Sequence, residues 1–572
     1  SKSSSPFVSS REVSHPTSTQ PLNKPRRKLH VAEGSVPANS LILTLIAHYR
    51  YHNMFGKALV SLALLGAICT VFASEPVPDT SELCMTCEGE VGQLQATWTN
   101  ETTVAEVLKE MQHNCRAYPY LKQKACDKIA EVLVQIPPAL FHGMEDLAWP
   151  IPEAMCALLR QCTVNCCAQG AAPEQLHLSL SLDGTQMGIT WVTVDASSSV
   201  VQYGTTADLQ QTVTGILDTY TSDGWVGVIH RAMMVQLLPN TEYFYRVGDP
   251  DKSPNPWSEV YSFKTFGDSQ GPQEESVTFA VLADMDYGEA SDYTVADLVA
   301  LVDAGVVQGV VQSGDISYAD GYEPHWDVFF NKIQPIVARV PMMVTPGNHE
   351  FWFNFVAYKH RFTMPSAGGN PGSGSGDNMY YSWNAPHAHF IACNSESPLD
   401  TAYFSDAQLD WMRADLGAVD RASVPWVLAH FHRPLYCAGD GACLDSDGKG
   451  GAKYIQGKTE DIFYENHVNL VFYGHVHSYQ RTYPVYNETV AQFDYSAPTA
   501  PTYLLQGASG NREGNKGSYP PLSDQPQWVA SQEVRVGYGL LTITATTLQW
   551  KYYASSNSTS PAVLLDTMTI TK

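Results

Sequence analysis

Five short apolar runs in the second half of the chain each stop at a cluster of polar residues. That repetition restricts the fold more than any other feature. The runs are TFAVLADMD (278–286), VVQSGDISY (310–318), MMVTPGNHE (342–350), WVLAHFHRPLY (426–436) and LVFYGHVH (470–477). They end in Asp284; in Asp315 with Tyr318; in Asn348, His349 and Glu350; in His430 and His432; and in His475 with His477. Short apolar runs bounded by Gly or Pro read as buried strands. Segments with helix-like spacing, such as YTVADLVALVDAG (293–305) and SDAQLDWMRADL (405–416), lie between them. Strands alternating with helices indicate an α/β layered domain, here about 275–572, with some antiparallel pairing expected. Ligands bind such sheets beyond the carboxyl ends of the strands. One strand ending in histidines is most simply a strand with an exposed end. Five such endings, three with a glycine directly before the polar residue (Gly314, Gly347, Gly474), are not a surface accident. Alternate residues of an extended segment face opposite sides. His475 and His477 therefore share a site only if the backbone bends, and Gly474 is expected to permit the bend.

Residue type then suggests the chemistry. Carboxylate, imidazole, phenolate and amide oxygen suit hard or borderline cations. The donors are numerous enough for two ions sharing one carboxylate. Ions about 4 Å apart clamp the attacking and leaving oxygens of a displacement at phosphorus. Phosphoryl transfer needs mainly positioning and charge neutralisation. No G-x-x-x-x-G-K-[ST] phosphate loop offers a competing route.

The rest of the chain points to an oxidising compartment. Of its 12 cysteines, eight lie between Cys84 and Cys167. Residues 1–53 are rich in Ser, Pro and basic residues without sustained periodicity, and read as an upstream extension that is not native. Residues 54–73 carry a basic start at Lys57, an apolar stretch from Ala58 to Phe72 and a small-residue end at Ala73. That is a secretory signal, with an uncleaved anchor as the alternative. The expected location is outside the cell or in a lysosomal or vacuolar lumen. Sequons at Asn100, Asn487 and Asn557 agree. The net charge of −24 argues against a nucleic-acid partner.

Two smaller modules precede the α/β domain. Residues 81–167 combine helix-like stretches with Cys84, Cys87, Cys115, Cys126, Cys156 and Cys162. The C-x2-C spacing also fits zinc, but the secretory context and the six-cysteine count favour disulfides. Residues 173–266 read as short strands separated by turns, a small fibronectin-III-like β-sandwich without a catalytic signature.

The five blocks, together with the sandwich segments YRVG and WSEVYSFKT, resemble the purple acid phosphatases of the calcineurin-like metallophosphoesterase superfamily over roughly 173–572. The resemblance implies that Asp284, Asp315, Tyr318 and His477 hold iron(III). It implies that a bridging Asp315, with Asn348, His432 and His475, holds a second divalent metal (iron, zinc or manganese), and that His349 faces the substrate. The implied reaction is hydrolysis of phosphate monoesters by a metal-bound hydroxide. Residues 81–167 resemble a saposin-B-type domain, implying pairs Cys84–Cys162, Cys87–Cys156 and Cys115–Cys126 and a lipid or membrane-surface contact. Cys166 and Cys167 fall outside that pattern. Two other readings stand beside the phosphatase. One is a lipid phosphodiesterase, since acid sphingomyelinases also join a saposin domain to a metallophosphoesterase domain. The other is a lipid-binding saposin protein on an inactive scaffold. Tyr318, the sandwich and the complete donor set favour the phosphatase.

Within the fourth block two frames compete. Val427 to His430 fits one version of the motif; His432 with Pro434 and Tyr436 fits the other and is preferred, leaving His430 as a strand residue. The sequence departs from the family pattern at three places. Asp286 stands where the first block usually ends in Gly, either adding a carboxylate near the iron or pointing to solvent. The loop after His432, CAGDGACLDSDGKGG, lacks the further histidines of many relatives, and Cys437 and Cys443 are expected to bridge it. Gln480 replaces a usual Glu in the last block.

Overall fold

The computed structural model describes residues 164–165, 167 and 172–572, apart from 183, 196–197, 221–224, 251–256, 268–275, 397–402, 440–442, 444–450 and 516. The upstream extension, the signal-type segment and nearly all of the saposin-like module, with Asn100 and the six cysteines expected to pair, lie outside the described residues.

The first described unit is a sandwich of two four-stranded antiparallel sheets. One sheet holds β1 (Glu174–Leu180), β2 (Met187–Thr193), β6 (Val228–Met234) and β5 (Ile216–Asp218); the other holds β8 (Tyr261–Lys264), β7 (Glu242–Gly248), β3 (Val200–Gly204) and β4 (Gln211–Thr214). Alternation in β7 buries Tyr243, Tyr245 and Val247, as a half-buried strand requires.

The second unit is built on two mixed sheets. The six-stranded sheet runs β11 (Met342–Thr345), β10 (Gly309–Ser313), β9 (Val277–Leu282), β19 (Gly537–Ile543), β20 (Thr547–Ala554), β21 (Val563–Thr571). Its first three strands are parallel and the others antiparallel. The seven-stranded sheet runs β12 (Tyr381–Ala385), β13 (Ala388–Ala392), β14 (Trp426–His430), β15 (Leu470–Tyr473), β17 (Thr502–Gln506), β16 (Tyr479–Thr482), β18 (Val529–Glu533). Aromatic rings lock the two sheets together. Phe279 of β9 meets Trp383 edge-on at 5.5 Å, and Trp550 of β20 lies 5.7 Å from Phe472 of β15. Helices α1 (Asp292–Asp303), α2 (Pro324–Val337), α3 (Trp352–Arg361), α4 (Asp406–Gly417) and α5 (Ala452–Glu465) connect the strands. The expected helices at 293–305 and 405–416 are α1 and α4. Ser405 caps α4 by accepting the Gln408 N–H.

The two units are joined through a buried polar cluster. Arg361 at the end of α3 is 1 % exposed. Its guanidinium donates to Asp327 of α2 at 2.9 Å, to Gln175 of β1 at 3.0 Å and to the Tyr220 hydroxyl at 2.7 Å. It also lies over the Trp225 ring at 4.7 Å. The Trp225 indole donates to the second Asp327 oxygen, and Tyr220 donates to Glu323. The sandwich and the second unit therefore share one buried cluster of ion pairs and hydrogen bonds, in which Arg361 Nη2 lies 3.9 Å from Glu323 Oε2.

Candidate metal centre

The site forms where β9, β10, β11, β14 and β15 release their chains. Asp284 lies two residues past β9 and Asp315 two past β10; Asn348 follows β11, His432 follows β14, and His475 and His477 follow β15. The parallel registers of β9–β10–β11 and of β14–β15 bring these ends together. The donors form two groups. In one, the Tyr318 hydroxyl lies 3.3 Å from Asp284 Oδ1 and 2.9 Å from His477 Nε2, with His477 Nε2 3.4 Å from Asp284 Oδ1. In the other, His432 Nε2 lies 2.9 Å from Asp315 Oδ2 and 3.1 Å from Asn348 Oδ1. Donor atoms of Asp315, His432 and His475 fall within 4.8 Å of one another.

The backbone is shaped around this convergence. Asp284, Asp315, Tyr318 and His475 have φ of 55°, 44°, 51° and 73°, a left-handed region that costs free energy for such residues and recurs at functional sites. The bend that turns His475 and His477 into one site falls on His475 itself. Gly474 has a different role from the expected one: a Cβ there would stand 2.2 Å from Asp284 Oδ2, so glycine provides close approach. Gly347 does the same for Asp315 Oδ1, at 2.1 Å.

The electrostatics fit a cation. Burial works against the Asp315 carboxylate, but the His432 and His349 imidazoles outweigh it and hold Asp315 below the usual carboxylate range. Burial, and then Asp284 and Asp315, push the Tyr318 phenol well above 10. Burial, followed by the Arg433 and His432 charges, drives His475 well below 6.5 and leaves a neutral imidazole with a lone pair to give. Burial opposes His432, yet Asp315 raises it to about 9. A highly charged cation among these groups ionises a phenol and displaces imidazole protons, so the donor set suits a metal that carries several positive charges.

His349 stands beside the donors. Its Nδ1 is 2.6 Å from Asp320 Oδ1, and its Nε2 lies 3.9 Å from Asp315 Oδ2 and 3.6 Å from Glu513 Oε1. Its ring lies 4.2 Å from that of Tyr318. His430 is set apart: it is fully buried in β14, its ring meets Trp383 edge-on, and neither nitrogen has a hydrogen-bond partner among the described residues. Asp286 does not point to solvent. It is fully buried, and its carboxylate accepts the Gly288 and Arg512 backbone N–H groups. In the loop after His432, Arg433 Nη1 lies 3.3 Å from His475 Nε2 and its Nε pairs with Glu396. A disulfide joins Cys437 to Cys443, with Cα atoms 5.5 Å apart. Gln480 is buried and accepts the Ala438 N–H, on the same loop. Asn487 and Asn557 are exposed. Sequence reasoning missed Asp320, Arg512 and Glu513. The only local signal was the position of Asp320 two residues after Tyr318 and the Gly-rich stretch GASGNREGN (507–515).

Paired sheets delivering carboxylate, imidazole and phenol to one edge define a metallophosphoesterase. Family models match in sequence order: Purple acid Phosphatase, N-terminal domain, over 173–265; Calcineurin-like phosphoesterase over 277–479; and Iron/zinc purple acid phosphatase-like protein C over 500–561. Acid phosphatase type 7 of Danio rerio is 30% identical over 436 residues, covering 70% of this chain and 92% of the relative. Probable purple acid phosphatase 20 of Arabidopsis thaliana is 31% identical over 402 residues, covering 68% and 86%. The structure of purple acid phosphatase PPD1 from yellow lupin seeds shares the fold, with a TM-score of 0.60 at 22% identity, covering 70% of this chain and 74% of that one. The chain belongs to the purple acid phosphatase family, and it is a metal-dependent acid phosphatase acting on phosphate esters.

Proposed function

We propose that Asp284, Asp315, Tyr318 and His477 hold iron(III), and that Asp315, Asn348, His432 and His475 hold a second divalent ion. The observation that supports this most is the division of the donors into two groups, with Tyr318 in one and the tight Asp315–His432–Asn348 set in the other. Bound there, the two ions supply Lewis acidity at phosphorus and lower the pKa of water. The residues of the chain do the rest. Asp320 accepts the Nδ1 proton of His349 and fixes the ring, so the doubly protonated imidazole presents Nε2–H toward the substrate. That proton goes to the oxygen of the departing alcohol. Arg433, on the side of His475, adds positive charge near the second ion where the loop offers no histidine. The substrate class is a phosphate monoester. The disulfide Cys437–Cys443, the cysteine-rich stretch and the signal-type segment support action outside the cell or in a vacuolar or lysosomal lumen.

Metal analysis of single variants of the full chain tests the assignment. His432→Ala is expected to lose about one metal equivalent of two and nearly all phosphomonoesterase activity. His430→Ala is expected to keep both ions. Metal loss in His430→Ala with retention in His432→Ala would reverse the two residues' roles.

A further inference from the structure

Resting on the role proposed for His349, we propose that Asp286 is a positioning residue for the phosphatase reaction, acting on His349 through Arg512 and Asp320. Asp286 has no solvent exposure, although it sits only two residues from Asp284. Its Oδ1 accepts the Gly288 N–H at 3.0 Å, and its Oδ2 accepts the Arg512 backbone N–H at 2.9 Å and lies 3.4 Å from Arg512 Nε. One carboxylate thus holds both the backbone and the side chain of Arg512.

Arg512 passes the constraint on. Its Nη2 donates to Asp320 Oδ2 at 3.1 Å and its Nη1 to the Tyr287 hydroxyl at 3.1 Å. Its guanidinium lies 5.0 Å from the Tyr287 ring centre and 5.9 Å from that of Tyr318. The other oxygen of Asp320 takes Nδ1 of His349 at 2.6 Å. An unbroken series of charge-assisted contacts therefore runs Asp286–Arg512–Asp320–His349. The same loop is fastened elsewhere: Asp286 N–H donates to Gly510 O, and Asn511 Nδ2 donates to Asp284 O. Glu513, next to Arg512, lies 3.6 Å from His349 Nε2 and 3.8 Å from His477 Nε2. The placing of Arg512 by Asp286 therefore governs what faces both nitrogens of His349.

A glycine at 286 would leave the loop tied by its backbone but remove the carboxylate that aims the guanidinium. Asp286 is buried with its partners satisfied, which is how a side chain beyond the donors orients one that acts on substrate.

The test is a double-mutant cycle on the full chain between Asp286→Asn and His349→Ala, with Asp286→Ala as a second variant. Metal content and melting temperature are recorded for every protein. Asp286→Asn keeps the shape but only one acceptor oxygen and no charge, and should retain two metals and the wild-type KM within about twofold while kcat falls about tenfold to a hundredfold. In the His349→Ala background the same substitution should cost less than about twofold, because its target is gone. An undiminished loss in that background would overturn the proposal, as would an unchanged kcat in both Asp286 variants or loss of metal in both. If His349→Ala alone leaves kcat intact, the role assigned to His349 fails first, and the cycle separates that outcome from failure of the Asp286 coupling.

Discussion

The His349→Ala protein should keep both metals and its colour while hydrolysing phosphomonoesters about 10²–10⁴-fold more slowly, the contribution of a positioned general acid. The expectation rests on geometry. His349 Nδ1 is engaged by Asp320, and Nε2 stands 3.9 Å from Asp315 Oδ2, outside the close group of Asp315, His432 and Asn348. Its ring packs against Tyr318, so alanine leaves room for water beside the donors without removing one of them. The loss should fall on kcat more than on KM, because proton donation strengthens in the transition state. An aryl phosphate, whose leaving oxygen needs no proton, should suffer less than an alkyl phosphate. Release of a metal ion from the variant would instead make His349 a ligand, and equal loss on both substrates would remove the acid role.

The second large effect concerns the join between the two units. Arg361→Met should destabilise the protein by about 3–5 kcal/mol, because it strands buried carboxylates whose guanidinium partner is removed. Asp327 would keep the Gln175 and Trp225 hydrogen bonds but lose its charge partner. Glu323 is already pushed up to about 7 by burial, against the pull of Arg361 and a hydrogen bond from Tyr220. Without Arg361 it rises further and takes a proton. A raised folded-state pKa adds stability below the unfolded value and loses it as pH rises through the folded one. The deficit in Arg361→Met should therefore be smaller near pH 5 than near pH 8. Urea unfolding at both pH values measures it, and a loss below about 1 kcal/mol at pH 8 would show that the cluster is not what couples the units.

The strands and donors were legible because they are local. An apolar run ending in Gly-Asp or Gly-His carries its own signal, and repetition converts it into a site. What was not legible depends on contacts remote in the chain. Strand β19 returns from far along the chain to pair against β9, so Leu541 sits beside Phe279; nothing near either residue announces the other. Arg512 reaches Asp320 and Asp286 from a loop without periodicity. Arg361 ends an amphipathic helix and looks like an exposed basic residue until β1 and α2 close over it. Gly474 was read as a hinge because glycine is permissive, whereas the Asp284 carboxylate packed against it decides its identity. Asp286 was placed either near iron or in solvent because the partner that buries it lies more than two hundred residues away in sequence.

The central claim is a dinuclear centre with Tyr318 as a ligand to iron(III), and the visible absorption spectrum of the purified full chain, taken with its metal content, tests it most directly. The wild-type protein should hold about two metal ions and absorb in the visible through phenolate-to-iron charge transfer, whereas Tyr318→Phe should keep its fold and lose that band. A coloured Tyr318→Phe protein with an unchanged spectrum, or a wild-type protein that is active while holding no iron, would contradict the account.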